Sequence, residues 1–121
     1  MFNLLLSLLM ITLIPNAYAA KNVKCDENKN IQILVKPNFA TIFSFPIKPE
    51  QVVMGSKNQF AVEYIKNDLA ITALNYNANT NMFVYLLGRR CGFKLRASLS
   101  ATESLIKVLD PDENKMKVKF E

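Results

Sequence analysis

The chain has no histidine and no tryptophan, and only two cysteines and three glycines among its 121 residues. Each scarcity excludes a chemistry. Without histidine there is no imidazole base, no Ser–His–Asp or Cys–His nucleophile, and no zinc site that needs His or four Cys. Gly55, Gly88 and Gly92 are too few and too scattered for a phosphate-cradling loop. The two cysteines are not in C-x-x-C spacing, so the common redox motif is missing. No Asn stands in an N-x-S/T triplet. These absences argue against an enzyme, and no cofactor and no metal site is expected. What is present is apolar material: 50% hydrophobic against 21% charged residues, enough for a packed core. A chain of this length holds one domain at most.

Leu4–Ile14 is an apolar run broken only by Ser7 and Thr12, followed by Pro15 and then Ala17-Tyr18-Ala19. A short apolar stretch before small residues at A-x-A spacing is the pattern a signal peptidase reads. Residues 1–19 are therefore expected to be a signal peptide, although no Lys or Arg precedes the run. As a helix its roughly eleven residues rise about 16 Å, half of a hydrocarbon core, so a membrane anchor fits poorly. The expected location is periplasmic or secreted, with no transmembrane span after cleavage. In such a compartment Cys25 and Cys91 have three readings: a structural disulfide, two buried thiols, or a redox pair; the oxidising surroundings favour the first, and the spacing argues against the last. A bridge closes a loop of about 67 residues, which the chain-entropy estimate values at about 4 kcal/mol.

Residues 20–30 are polar and read as an extended N-terminal arm tied down only at Cys25. From 31 onward, in the single domain expected over 31–121, the period becomes two, the signature of strands. The strands expected are Ile31–Val35, Phe39–Phe45, Gln51–Met54, Phe60–Ile65, a return strand from Leu69 to Leu74 after a turn at Asn67-Asp68, Met82–Leu87 and, after a reversal at Gly88, Arg90–Arg96. Asn75–Asn81 reads as a loop. Met82–Leu87 is nearly all apolar and reads as a central strand covered on both faces. Ser100–Glu103 matches a capping box that opens a short helix through Leu109. Alternatively, Asp110–Asn114 is a turn between strands Leu105–Leu109 and Met116–Phe120, and this hairpin is the favoured reading. The pattern predicts an all-β fold: a small antiparallel β-sandwich or partly closed barrel of about eight strands.

The formal net charge is +5. The only basic cluster is Arg89, Arg90, Lys94 and Arg96; on a strand, Arg90, Lys94 and Arg96 share one face. That face is either plain solvated surface or a docking surface for an acidic partner, an anionic lipid or a polysaccharide. No nucleic acid is expected, because the other cations are spread along the chain rather than clustered beside stacking aromatics. Phe39, Phe43 and Phe45 fit a core row better than a ligand groove. Asp110, Asp112, Glu113 and Asn114 do not have EF-hand spacing. Glu63 and Asp68 are the nearest approach to a carboxylate pair.

The middle of the chain carries a resemblance. A Thr-Ile strand ends at Phe45-Pro46, followed by Glu50-Gln51-Val52-Val53-Met54-Gly55, Gln59-Phe60-Ala61-Val62, Leu69-Ala70-Ile71, Thr80-Asn81-Met82-Phe83-Val84-Tyr85 and Arg89 to Leu95. Over residues 39–96 this order resembles the N-terminal β-domain of CagX/TrbG/TraK-type subunits of type IV secretion core complexes. It is also similar to the N-terminal domains of secretin-associated pilus proteins. The family's second, C-terminal β-domain has no counterpart in these residues, and Cys91 stands where the family has an aromatic. The resemblance implies a non-enzymatic component of the bacterial cell envelope that docks envelope or secretion-system proteins. It carries over no catalytic residue. The alternative expectation is a soluble periplasmic or secreted binder of a ligand or enzyme, with a deep pocket at Phe39, Phe43 or Tyr85.

Overall fold

The computed structural model describes residues 20–110. The leader assigned to 1–19 and the strand expected at Met116–Phe120 lie outside the described residues. Within them the alternating runs form nine strands: β1 (Lys21–Lys24), β2 (Asn30–Val35), β3 (Ala40–Ser44), β4 (Gln51–Met54), β5 (Phe60–Ile65), β6 (Asp68–Ala73), β7 (Asn79–Leu86), β8 (Arg89–Ala97) and β9 (Leu105–Leu109). The capping-box pattern at Ser100–Glu103 opens no helix. Instead Ile106 and Val108 alternate into the core from β9.

The strands form two open sheets, one ordered β1-β9-β3-β6-β5 and the other β2-β8-β7-β4. Neither closes on itself, so the architecture is a β-sandwich rather than a barrel. It is not purely antiparallel. β1 and β3 both run parallel to β9, and β2 runs parallel to β8. Hairpin signals report only on strands adjacent in sequence, and here only β5–β6 and β7–β8 are such pairs. Every other connection crosses between the sheets, and the parallel pairs arise from those crossings.

Four local expectations need correcting. The arm is not tied down at Cys25 alone: Lys21–Lys24 pair in register with Ile106–Leu109, and the Cys25 N–H donates to the Leu109 carbonyl at 2.8 Å. With one apolar residue in four, β1 shows no period of its own. The β5–β6 turn is Lys66-Asn67, because Asp68 already pairs with Ile65. β7 begins at Asn79, since Asn79, Thr80 and Asn81 pair with Arg96, Leu95 and Lys94. It is central in its sheet but buried on one face only: Met82, Val84 and Leu86 are enclosed, whereas Phe83 and Tyr85 opposite are half-buried.

The core lies between the layers. Phe93 of β8 meets Phe43 of β3 edge to face, with centroids 5.5 Å apart, and Phe45 at 6.3 Å. Such pairs add to the burial of their large apolar area. Phe39 leaves the row: Asn38 has φ 66°, and beyond this turn Phe39 is 60% exposed under the Lys36 ammonium. The disulfide Cys25–Cys91, with Cα atoms 5.2 Å apart, joins the end of β1 to β8 and so fastens one layer to the other. Both its residues are buried.

Candidate interaction face

β8 and β7 are the two inner strands of the four-stranded sheet, and their outward positions make its exposed surface. Alternation places Cys91, Phe93 and Leu95 in the core and turns Arg90, Lys94 and Arg96 outward. The register lines up cross-strand neighbours on the same side: Arg90 beside Tyr85, Lys94 beside Asn81 and Gln32, Arg96 beside Asn79 and Leu34. Val53 and Gln51 of β4 continue the rows beyond Phe83 and Tyr85. None of the outward positions on these four strands is Asp or Glu.

The floor of this face is built on glycine. Gly92 lies between Arg90 and Lys94, paired with Asn30 on one side and Phe83 on the other. A Cβ at 92 would collide with Asn30 Oδ1 and stand 3.3 Å from Phe83 Cε1. The missing side chain thus lets the Asn30 carboxamide and the Phe83 ring fold down onto the strand. Gly55 does the same for Asn81 at the end of β4. The Arg90 guanidinium lies 5.8 Å from the Phe83 ring centroid, within cation–π range. A guanidinium spread on an aromatic face keeps its N–H edges available to an anion.

Arg89, the fourth member of the sequence cluster, belongs elsewhere. It has the opposite parity, and its Nη1 is 3.2 Å from Oδ1 of Asp110, whose carboxylate is buried. It anchors the end of β9 to the start of β8. Glu63 and Asp68 stand on the open outer side of the five-stranded sheet, not in a cleft. Phe43 is fully buried, Phe39 is exposed in a turn, and Tyr85 is on the outer face, so the three share no pocket. A shallow cavity of about 320 Å³ is lined by Lys24, Cys25, Asp26, Glu27 and Arg89, and another of about 270 Å³ by Tyr76–Asn79, Arg96 and Ala97. Among the described residues no group of three His, Cys, Asp or Glu side chains is placed to hold a metal, and no helix is long and apolar enough to cross a membrane.

Sequence reasoning missed Phe83 and Tyr85 as surface residues, and the carboxamides of Asn30, Gln32 and Asn81 as their neighbours. The continuous apolar run at 82–87 concealed the alternation. The signal was the polar Asn79-Thr80-Asn81 just before it, which continues the same outward parity. No protein-family model matches the chain, and no curated protein sequence matches it.

Proposed function

We propose that this chain is an exported, non-enzymatic interaction module of the bacterial cell envelope that docks an acidic partner on the outer face of its four-stranded sheet. One observation carries the reading: Arg90, Lys94 and Arg96 project together from a sheet face whose outward positions include no carboxylate. A field of one sign attracts an oppositely charged surface and orients it on approach. The disulfide supports an oxidising compartment and hence export. The resemblance of residues 39–96 to type IV secretion core subunits supports a place in a secretion or conjugation apparatus.

Chemical cross-linking in the native cells, followed by recovery of the chain, tests the reading. Envelope proteins are expected with the native chain and are lost with R90E/K94E/R96E. Recovery of no envelope protein, or equal recovery with the triple variant, overturns it. Secretion or conjugation genes beside this one would support the apparatus assignment.

A further inference from the structure

We propose that β5 is a self-pairing edge, on which two copies of this chain join antiparallel with Val62 opposite Val62 of the second copy. The inference does not rest on the acidic-partner reading, because β5 belongs to the other sheet. It begins with the direction of the backbone groups. The Leu74 N–H donates to the Gln59 carbonyl at 2.9 Å, which makes Gln59–Leu74 a hydrogen-bonded pair of the β5–β6 ladder. In an antiparallel ladder such pairs alternate, so Ala61, Glu63 and Ile65 bond inward to β6. The N–H and C=O groups of Phe60, Val62 and Tyr64 then point away from the sheet, along an edge six residues long. No described strand covers this row, and a row of this kind is a template for another strand.

The other edges carry obstacles. β1 bears Lys21 and Lys24 in four residues. β4 is four residues long between Pro49-Glu50 and Gly55. β2 leads from the charged turn at Asp26–Lys29 directly into Lys36-Pro37. β5 has one charge, Glu63, no proline and no bulge, and its far end is apolar and exposed: Tyr64 is 63% and Ile65 47% exposed.

The sequence of β5 is complementary to itself in one register. With Val62 on the two-fold axis, Phe60 stands opposite Tyr64 of the second copy and Ala61 opposite Glu63. Every outward backbone group of Phe60, Val62 and Tyr64 then finds a partner. Cross-strand aromatic pairs are favourable, and like charges directly opposite are not. Centring on Glu63 sets the two carboxylates against each other, and centring on Ala61 or Tyr64 shortens the overlap. The joined sheet has ten strands, and its symmetry is closed, so pairing stops at a dimer.

Residue-resolved amide exchange and sedimentation, measured on the purified chain across a hundredfold range of concentration, test this. The expected result is a reversible dimer in which protection of Phe60, Val62 and Tyr64 rises with concentration while Ala61 and Glu63 stay constant. Under oxidation Val62→Cys is expected to form a covalent dimer and Tyr64→Cys to form none. Tyr64→Pro, which removes an N–H that β6 does not use, is expected to keep the fold and abolish the dimer. A chain that sediments as a monomer throughout, equal cross-linking of the two cysteine variants, or a dimer undiminished by Tyr64→Pro overturns the proposal.

Discussion

On the five-stranded sheet the outward side chains are short and mixed: Ala40, Ile42, Ala61, Ala70 and Thr72, with Lys24 and Lys107 offset by Glu63 and Asp68. On the four-stranded sheet they are longer, aromatic rings and carboxamides beside arginine and lysine, and every charged one is positive. One face is electrically balanced and the other is not. The net charge of the chain is therefore not spread evenly over the molecule. Strand parity sorts it, sending three cations of β8 to the same side and turning Arg89 toward Asp110.

This contrast can be erased or refined by substitution. The largest effect belongs to Phe93, which packs on both Phe43 and Phe45 across the layers. Phe93→Ala is expected to cost about 4–5 kcal/mol and to damage both faces together, read by denaturant unfolding. Replacing both Cys25 and Cys91 by Ser is expected to cost about 4 kcal/mol. A matching fall in melting temperature should appear when the native chain is reduced. Arg89→Ala leaves the buried Asp110 carboxylate without this ion pair, at about 2 kcal/mol, while leaving partner binding unchanged in a titration.

K94E/R96E reverses the pattern, with stability held within about 0.5 kcal/mol and affinity for the acidic partner down about tenfold or more. The same reversal at Lys107, on the balanced face, should leave affinity unaltered. Smallest is a gain. Leu87 adopts φ 44° ahead of Gly88 at φ 75°, in the two-residue turn between β7 and β8, and its side chain is exposed. Leu87→Asn suits that left-handed position and is expected to add about 0.5–1 kcal/mol with binding intact.

The strands and their faces were legible where the period of two was clean: Leu69, Ile71 and Ala73 on β6, and Cys91, Phe93 and Leu95 on β8, are all enclosed as the alternation requires. The disulfide was legible because two cysteines permit only one intramolecular bridge. The parallel pairings were not, since no local residue pattern encodes which distant strand lies alongside. β1 was invisible because its stability comes from β9 rather than from its own four residues. The basic triad could be read directly from parity. Its aromatic and carboxamide surroundings could not, because they depend on the register of β7 and β2 against β8 and on two glycines whose role is to be absent side chains.

Among the described strands β9 lies between β1 and β3, and β2 pairs with β8 alone. On the ribosome, the earliest strands thus emerge long before anything exists for them to zip against. The hairpins β5–β6 and β7–β8 can close early, but the five-stranded sheet stays incomplete until Leu105–Leu109 has been made. A pairing order this non-local slows maturation.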